Sequence, residues 1–186
     1  MTSDALLEGI TYTFRLDASL TGARSSGSAT IDILVPRGPR GGTLLLSPEK
    51  GTTIEDLFDI EAPGWTSENL PLEYQFGAVG GQILRAYSAD PSATDVILPP
   101  GRNCDLEIAE DSTSWYKTGE PNKDCAWVEG KPTTRCDARG GDDRMFAQDA
   151  CFRACACYLT VSVSIRDSLG ATTKSSTAAL VKSSEL

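Results

Sequence analysis

The sequence predicts an all-β protein: an immunoglobulin-like or fibronectin-III-like β-sandwich with a long disulfide-rich insertion. Three observations predict it. Apolar residues alternate with polar ones along several short segments, proline and glycine bound those segments, and all six cysteines fall in one loop-like third of the chain. Alternation with a period of two indicates strands that bury one face, and the bounding Pro and Gly residues indicate turns.

The central strands are predicted within residues 43–99. Phe58 alternates with acidic neighbours in one segment, and Tyr74 and Phe76 alternate with polar residues in another. Trp65 follows a Pro-Gly break between these segments, where a large ring would fill the gap between two sheets. We therefore expect all four side chains in the core. Further short strands are expected at 83–87 and 95–98.

Two hairpins frame the chain. The first alternates apolar and polar residues in both of its strands within 10–35, around a turn at 20–23. The second does so within 159–181, which puts Val161 and Val163 on its core-facing side. Each pattern predicts an antiparallel pair of strands with one face on a core.

The two hairpins superimpose in sequence when Ile10 is set on Leu159 and the following residues are paired in order. A repeat separated by this much chain is typical of tandem domains rather than of a solenoid. The simplest account makes residues 1–36 the last hairpin of a preceding similar domain and residues 37–182 the next whole domain. The alternative stays open, because alternating strand patterns are common and two ordinary hairpins resemble each other.

The cysteines lie in residues 102–157, a stretch with little periodicity. An even number of clustered cysteines indicates three disulfides formed in an oxidising compartment, although six cysteines allow 15 pairings. The alternative of a zinc site is disfavoured, since the close Cys-x-x-Cys pairs of such sites are missing. We interpret the stretch as a disulfide-stabilised insertion between two strands of the sandwich. Its cysteines are Cys104, Cys125, Cys136, Cys151, Cys155 and Cys157.

The composition restricts the function classes. The chain has 17 basic and 26 acidic residues, a net charge of −9, and such a surface repels nucleic acid and anionic lipid. The lack of histidine excludes the triads and metal sites that require it. No phosphate-binding loop or nucleophile elbow stands out, so no cofactor is expected. No run approaches the roughly 20 apolar residues of a membrane helix, so membrane attachment is expected only through other parts of a parent protein.

A family resemblance rests on several segments taken together. They are Leu46-Ser47-Pro48 with Gly51-Thr52, Phe58 with Ala62-Pro63-Gly64-Trp65, Pro71-Leu72-Glu73-Tyr74-Gln75-Phe76, Leu98-Pro99-Pro100-Gly101, and the stretch from Val161 to Ala171. In combination they resemble the REJ (receptor for egg jelly) modules of polycystin-like proteins, with their neighbouring PKD-like and fibronectin-III-like domains. The likeness covers about 43–101 and 158–181, and the first hairpin looks like the end of the module before. Residues 102–157 depart from the family pattern, which usually has much shorter loops there.

The resemblance implies non-enzymatic, extracellular β-sandwich modules in long ectodomains of cell-surface or ciliary proteins. It supplies no catalytic residues. Because the insertion departs from the family pattern, the resemblance implies nothing about what the insertion does.

Three aromatic residues of the insertion are candidate contacts. Trp115, Tyr116 and Trp127 either cap a small core beside the disulfides or form a binding patch for a protein or glycan partner. Asp142 and Asp143 are a weak calcium candidate in a glycine-rich loop. The EF-hand pattern is absent, so a solvated acidic loop is favoured and no metal site is assigned.

The leading hypothesis is a structural and interaction module of a large extracellular protein, which acts in adhesion, spacing or assembly through its insertion. Its partners would be neighbouring domains of the same chain and a protein or glycan at the cell surface. A second hypothesis is a secreted carbohydrate-binding module, which requires Trp115 and Trp127 to be exposed and coplanar. A third, an acid-type hydrolase, requires two carboxylates about 5–10 Å apart in a cleft.

Overall fold

The computed structural model describes residues 6–19, 26–78, 81–102, 104, 111–141 and 144–184. The turn expected at 20–23 and the calcium candidates Asp142 and Asp143 lie outside these ranges. Within the ranges the chain forms fourteen strands and two short α-helices. The predicted all-β class is confirmed.

The elements follow one another in three groups. The first eight strands are β1 (Thr11–Ser19), β2 (Ser26–Leu34), β3 (Leu45–Ser47), β4 (Lys50–Thr52), β5 (Phe58–Glu61), β6 (Glu73–Ala78), β7 (Gln82–Ser88) and β8 (Ser92–Val96). The insertion contains β9 (Tyr116–Lys117), β10 (Glu120–Asp124), α1 (Cys125–Glu129), α2 (Pro132–Arg135), β11 (Arg139–Gly140), β12 (Met145–Phe146) and a 3-10 helix at Ala147–Asp149. The chain then closes with β13 (Tyr158–Arg166) and β14 (Thr172–Lys182).

The sandwich consists of two facing sheets. One has five strands in the order β4-β14-β13-β6-β7, and the other has three in the order β3-β5-β8. Neighbouring strands are antiparallel, except that β4 runs parallel to β14. This layering is that of an immunoglobulin-like or fibronectin-III-like sandwich.

The core between the sheets is built from the inward residues of the alternating strands. Val161 and Val163 on β13 are fully buried, whereas Ser162 between them is only half-buried. Phe58 and Phe76 are also fully buried, and Tyr74 is nearly so. Both sheets contribute to one cluster of buried residues: Leu44, Phe58, Ile60, Ala62, Leu72, Tyr74, Phe76, Ala78, Ala93, Leu98, Leu159, Val161, Val163, Ile165, Ala179 and Val181.

Trp65 is partly buried and packs against this core. Its indole lies on the backbone of Gly42, where a Cβ atom would come within 2.3 Å of the ring. The indole N–H donates to the Thr43 carbonyl oxygen at 3.2 Å. The missing side chain at Gly42 leaves room for the ring, and the polar indole nitrogen finds its partner there.

Strands β1 and β2 form a separate two-stranded sheet, paired from Thr11 opposite Leu34 to Ser19 opposite Ser26. A hydrogen bond from the Gly38 amide to the Glu8 carboxylate, at 3.4 Å, connects this hairpin with the segment that follows. The assignment of residues 1–36 to a preceding domain and of 37–182 to the sandwich stays a prediction.

A buried carboxylate fixes the turn between β13 and β14. Asp167 is 4% exposed, and one of its oxygens accepts hydrogen bonds from the Leu169 and Ala171 amides, both at 3.0 Å. Its other oxygen accepts from the Ser67 hydroxyl at 3.0 Å and the Asn69 side-chain amide at 3.2 Å. Burial alone would raise the pKa of Asp167, but these hydrogen bonds outweigh it and hold the pKa below its usual value. The carboxylate thereby ties this turn to the loop between β5 and β6.

We expect the Asp167→Asn variant to lose about 1–3 kcal/mol of unfolding free energy at pH 7, because an amide nitrogen cannot accept the bonds from Ser67 and Asn69. A lowered carboxyl pKa in the folded state gives a stabilisation that is present above the unfolded pKa of about 3.9. It is lost as the pH falls through the folded pKa. Denaturant unfolding at pH 7 and in steps towards pH 3 should therefore show the difference between wild type and variant shrinking below about pH 4.

The matched control for Asp167→Asn is Glu61→Gln, which removes an exposed carboxylate of the three-stranded sheet. Its unfolding free energy should stay within about 0.5 kcal/mol of wild type. A difference between Asp167→Asn and wild type that is constant with pH would contradict the role given to the ionised carboxylate.

Candidate interaction surface

The six cysteines pair into three disulfides, as the sequence predicts. The bonds join Cys104 to Cys157, Cys125 to Cys151, and Cys136 to Cys155. The first bond closes the base of the insertion, just before the chain enters β13, and the other two lie inside it. With all six sulfurs in disulfides, the zinc alternative has no thiolate ligands left.

The insertion has a small core of its own. Cys136, Cys151, Val128 and Ala147 are fully buried there. The full cluster is Trp115, Cys125, Val128, Cys136, Ala147, Ala150, Cys151, Ala154, Cys155, Tyr158 and Ala178. Two disulfides thus replace the larger apolar side chains that a core of this size lacks.

This second core rests on the outer face of the five-stranded sheet. Tyr158, Ala178 and Leu180 of β13 and β14 belong to it, while their neighbours Ala179 and Val181 belong to the sandwich core. Successive residues of a strand point to opposite faces, so the same two strands separate the two cores.

A partly buried hydrogen bond fastens the insertion to the sheet. The Tyr158 hydroxyl donates to the Asp137 carboxylate at 2.6 Å, and Tyr158 is only 2% exposed. Burial first, and the Asp137 carboxylate second, raise the pKa of the Tyr158 hydroxyl, which stays protonated and available as a donor. This contact sets the insertion at a defined position on the outer face.

Trp115 lies inside the insertion and is 4% exposed. Its indole N–H donates to the Met145 carbonyl oxygen at 3.1 Å. A Cβ atom on Gly140 would lie 2.0 Å from the Tyr116 carbonyl oxygen and 2.8 Å from the Trp115 ring, so glycine is what lets β11 approach this part of the chain. Of the two roles left open for Trp115, the structure shows the core role, and the exposed pair of tryptophans that a carbohydrate-binding platform requires is not formed. Tyr116, the next residue, is 38% exposed.

Trp127 is half-buried, and cations surround its ring. The Arg135 guanidinium carbon lies 4.4 Å from the ring centroid, and the Lys123 and Lys117 ammonium nitrogens lie 5.4 and 5.9 Å from it. Glu120 pairs with both lysines, and the hydrogen bonds from Lys117 and then Lys123 lower the pKa of its carboxyl. We refer to Trp127, Lys117, Glu120, Lys123 and Arg135 as the Trp127 surface.

Local structure holds the Trp127 surface in place. Helix α1 begins after Asp124, whose side chain accepts a hydrogen bond from the Trp127 amide at 3.1 Å. Arg135, at the end of α2, donates to the Trp127 carbonyl oxygen. The ring is therefore presented on a braced scaffold and not on a free loop.

Four concavities of the described surface, and the metal-ligating side chains of the described residues, were compared with what catalytic and metal sites require. Of these four concavities, one has Glu68 and another has Asp95 as its lone lining carboxylate, and the other two have none. No group of three or more metal-ligating side chains is found among the described residues. None of these four concavities therefore has the pair of carboxylates that the acid-type hydrolase hypothesis requires.

We expect Trp115→Ala to destabilise the insertion by about 3–5 kcal/mol, the usual cost of removing a buried tryptophan. Trp127→Ala should cost less than half of that stability, because the Trp127 ring is only half-buried. Limited proteolysis and denaturant unfolding of both variants measure the difference. A loss for Trp127→Ala equal to that for Trp115→Ala would contradict the assignment of the two rings.

Comparison with known proteins identifies a family. The family model described as the REJ domain matches residues 1–108 of the 186, which is more than half of the chain. The match includes β1 to β8 and ends before the insertion core and the closing strands β13 and β14. No curated protein and no solved structure matches. Among the described residues, no helix has the length and apolarity to cross a membrane.

Proposed function

Since the chain belongs to the REJ domain family, whose members are non-catalytic extracellular modules of polycystin-like proteins, we propose that it is a non-enzymatic module that contacts a partner through its disulfide-rich insertion. The proposed setting is a large cell-surface protein, ciliary in the polycystin-like case, in which the module serves adhesion, spacing or assembly. Three disulfides fit that oxidising environment.

The observation that carries the proposal is the second core. Every one of the sixteen residues in the described sandwich core lies outside residues 102–157. The insertion is therefore not what fills the sandwich, yet it has its own core and three crosslinks. A rigid element added to a scaffold that does not need it is a usual way to build a recognition site.

The chemistry of the Trp127 surface favours a protein partner. Tryptophan and arginine are enriched among the residues that dominate protein interfaces, and here an arginine and two lysines surround one ring. Three cations against two carboxylates, Glu120 and the capping Asp124, leave an excess of positive charge that favours a partner with an acidic patch. A glycan partner is disfavoured because Trp115, the second ring of the expected platform, is buried.

The test uses beads coated with the 186-residue chain and cells that express the natural parent protein, with bead retention under flow as the readout. Lys117→Ala/Lys123→Ala removes two cations from the Trp127 surface while leaving Arg135 to brace the Trp127 carbonyl. We expect at least about a tenfold loss of retention, which is about 1.4 kcal/mol for the two substitutions together, since truncation of a hot-spot residue at the centre of an interface costs about 2 kcal/mol or more.

The matched control is Lys174→Ala/Lys182→Ala, which removes the same charge from exposed positions on β14 and should change retention less than about twofold. Equal losses of retention in the two variants would mean that the lost positive charge alone weakens binding, and would contradict a specific binding surface. An absence of retention by the wild-type chain would also contradict the proposed binding surface. Binding of the chain to a glycan array that Trp127→Ala abolishes would replace the protein partner by a glycan.

A further inference from the structure

The hairpin formed by β1 and β2 has one entirely apolar face. Residues directly opposite each other in an antiparallel pair point to the same side of the sheet. Tyr12 is opposite Ile33, Phe14 is opposite Ile31, and Leu16 is opposite Ala29. The intervening positions carry threonine, serine, arginine and aspartate, with Leu34 as the one apolar exception.

This apolar face is open to solvent in the described chain. Phe14 is 46% exposed, Leu16 72%, Ile31 61% and Ile33 44%. A contiguous row of exposed aliphatic and aromatic side chains on a flat sheet marks a contact that is not filled. A two-stranded sheet by itself is also at best marginally stable in water, so the hairpin needs a cover to persist.

The second hairpin of the same molecule, β13 and β14, shows how such an apolar face is covered. The sequence repeat pairs Phe14 with Val163 and Leu16 with Ile165, and both of those β13 residues are fully buried. Strands β13 and β14 reach that state because the three-stranded sheet β3-β5-β8 lies across their inner face and β6 lies beside β13. The hairpin β1–β2 has the same alternation and the same nine-residue first strand, and lacks those neighbours among the described residues.

We propose that β1 and β2 are the last two strands of a preceding sandwich module in the same polypeptide, and that the three-stranded sheet of that module covers their apolar face. The cover is therefore a pleated sheet with an apolar inner face, of the β3-β5-β8 kind. This inference concerns the opposite end of the chain from the Trp127 surface, and neither depends on the other.

The size of the face argues against a second copy of the chain as the cover. Nine residues at about 3.3 Å each, over two strands about 4.8 Å apart, give a footprint of roughly 300 Å². Two such faces together bury roughly 600 Å², about half of the 1,200 Å² at which stable protein interfaces begin. A module joined to the hairpin by the chain itself does not lose translational freedom on contact, so a face of this size suffices.

The test compares hydrogen exchange of the β1 and β2 amides in two proteins: the 186-residue chain, and the natural polypeptide extended upstream by about one domain of roughly 100 residues. In the 186-residue chain alone these amides should exchange within about tenfold of unfolded rates, whereas β13 and β14 stay protected. In the extended polypeptide their protection should rise by at least about a hundredfold.

Two variants of the extended polypeptide distinguish protection that comes from a cover on the apolar face from protection that comes from a generally more rigid chain. Phe14→Ser, on the apolar face, should lower β1 and β2 protection by at least about tenfold, as burial of a large apolar side chain is lost. Arg15→Ser, the next residue on the polar face, should stay within about threefold of wild type.

Three results would overturn the proposal. The first is full protection of β1 and β2 in the monomeric 186-residue chain, which would mean that the chain covers the face itself. The second is protection that falls on dilution, which would identify a second copy as the cover. The third is an extended polypeptide in which the hairpin amides still exchange freely, or whose upstream part forms no strands.

Discussion

The alternation of strand β13 is the constraint on which the rest of the structure depends. Its inward residues Val161 and Val163 lie in the sandwich core, and its outward Tyr158 lies in the core of the insertion. Pairing with β14 on one side and β6 on the other fixes its register. A slip of one residue would turn the apolar set outward and remove Tyr158 from Asp137, so both cores need the same register.

The two cores rely on different sources of stability. The sandwich core contains large apolar side chains such as Phe58, Phe76 and Ile60, all fully buried, and draws its stability from that burial. The insertion core consists largely of alanine and cysteine. Its disulfides close loops with sequence separations of 53, 26 and 19 residues. By loop entropy each contributes about 3–4 kcal/mol, which compensates for a core too small to hold itself together.

The difference between the two cores explains which parts of the fold could be predicted from the sequence. The strands of the sandwich were predictable from the sequence, because burial of one face imposes a period of two on the apolar residues of β5, β6 and β13. The same alternation that fills the core also fixes the register of these strands. The cysteines could be assigned to disulfides from their number and spacing. Their pairing could not, because it depends on how α1, α2 and the 3-10 helix pack, and these short helices have no apolar periodicity of their own.

The candidate site was the hardest part to foresee. The residues beside Trp115 and Trp127 do not reveal which ring is buried, because the burial of Trp115 depends on Gly140 and the Met145 carbonyl, both more than twenty residues away. The exact position of Trp65 could not be predicted for a similar reason, since it depends on a glycine more than twenty residues away. A signal for Tyr158 did exist: it precedes Leu159 and therefore has the opposite parity to the core residues of β13.

The central claim is that a disulfide-dependent core is docked on a sandwich that does not need it. Hydrogen exchange of the 186-residue chain, before and after full reduction by a phosphine, tests this claim most directly. Reduction should bring the amides of 111–157 close to unfolded rates, while β5, β6 and β13 keep their protection within about tenfold. Loss of protection in those strands together with the insertion, or an insertion that stays protected without its disulfides, would contradict the account.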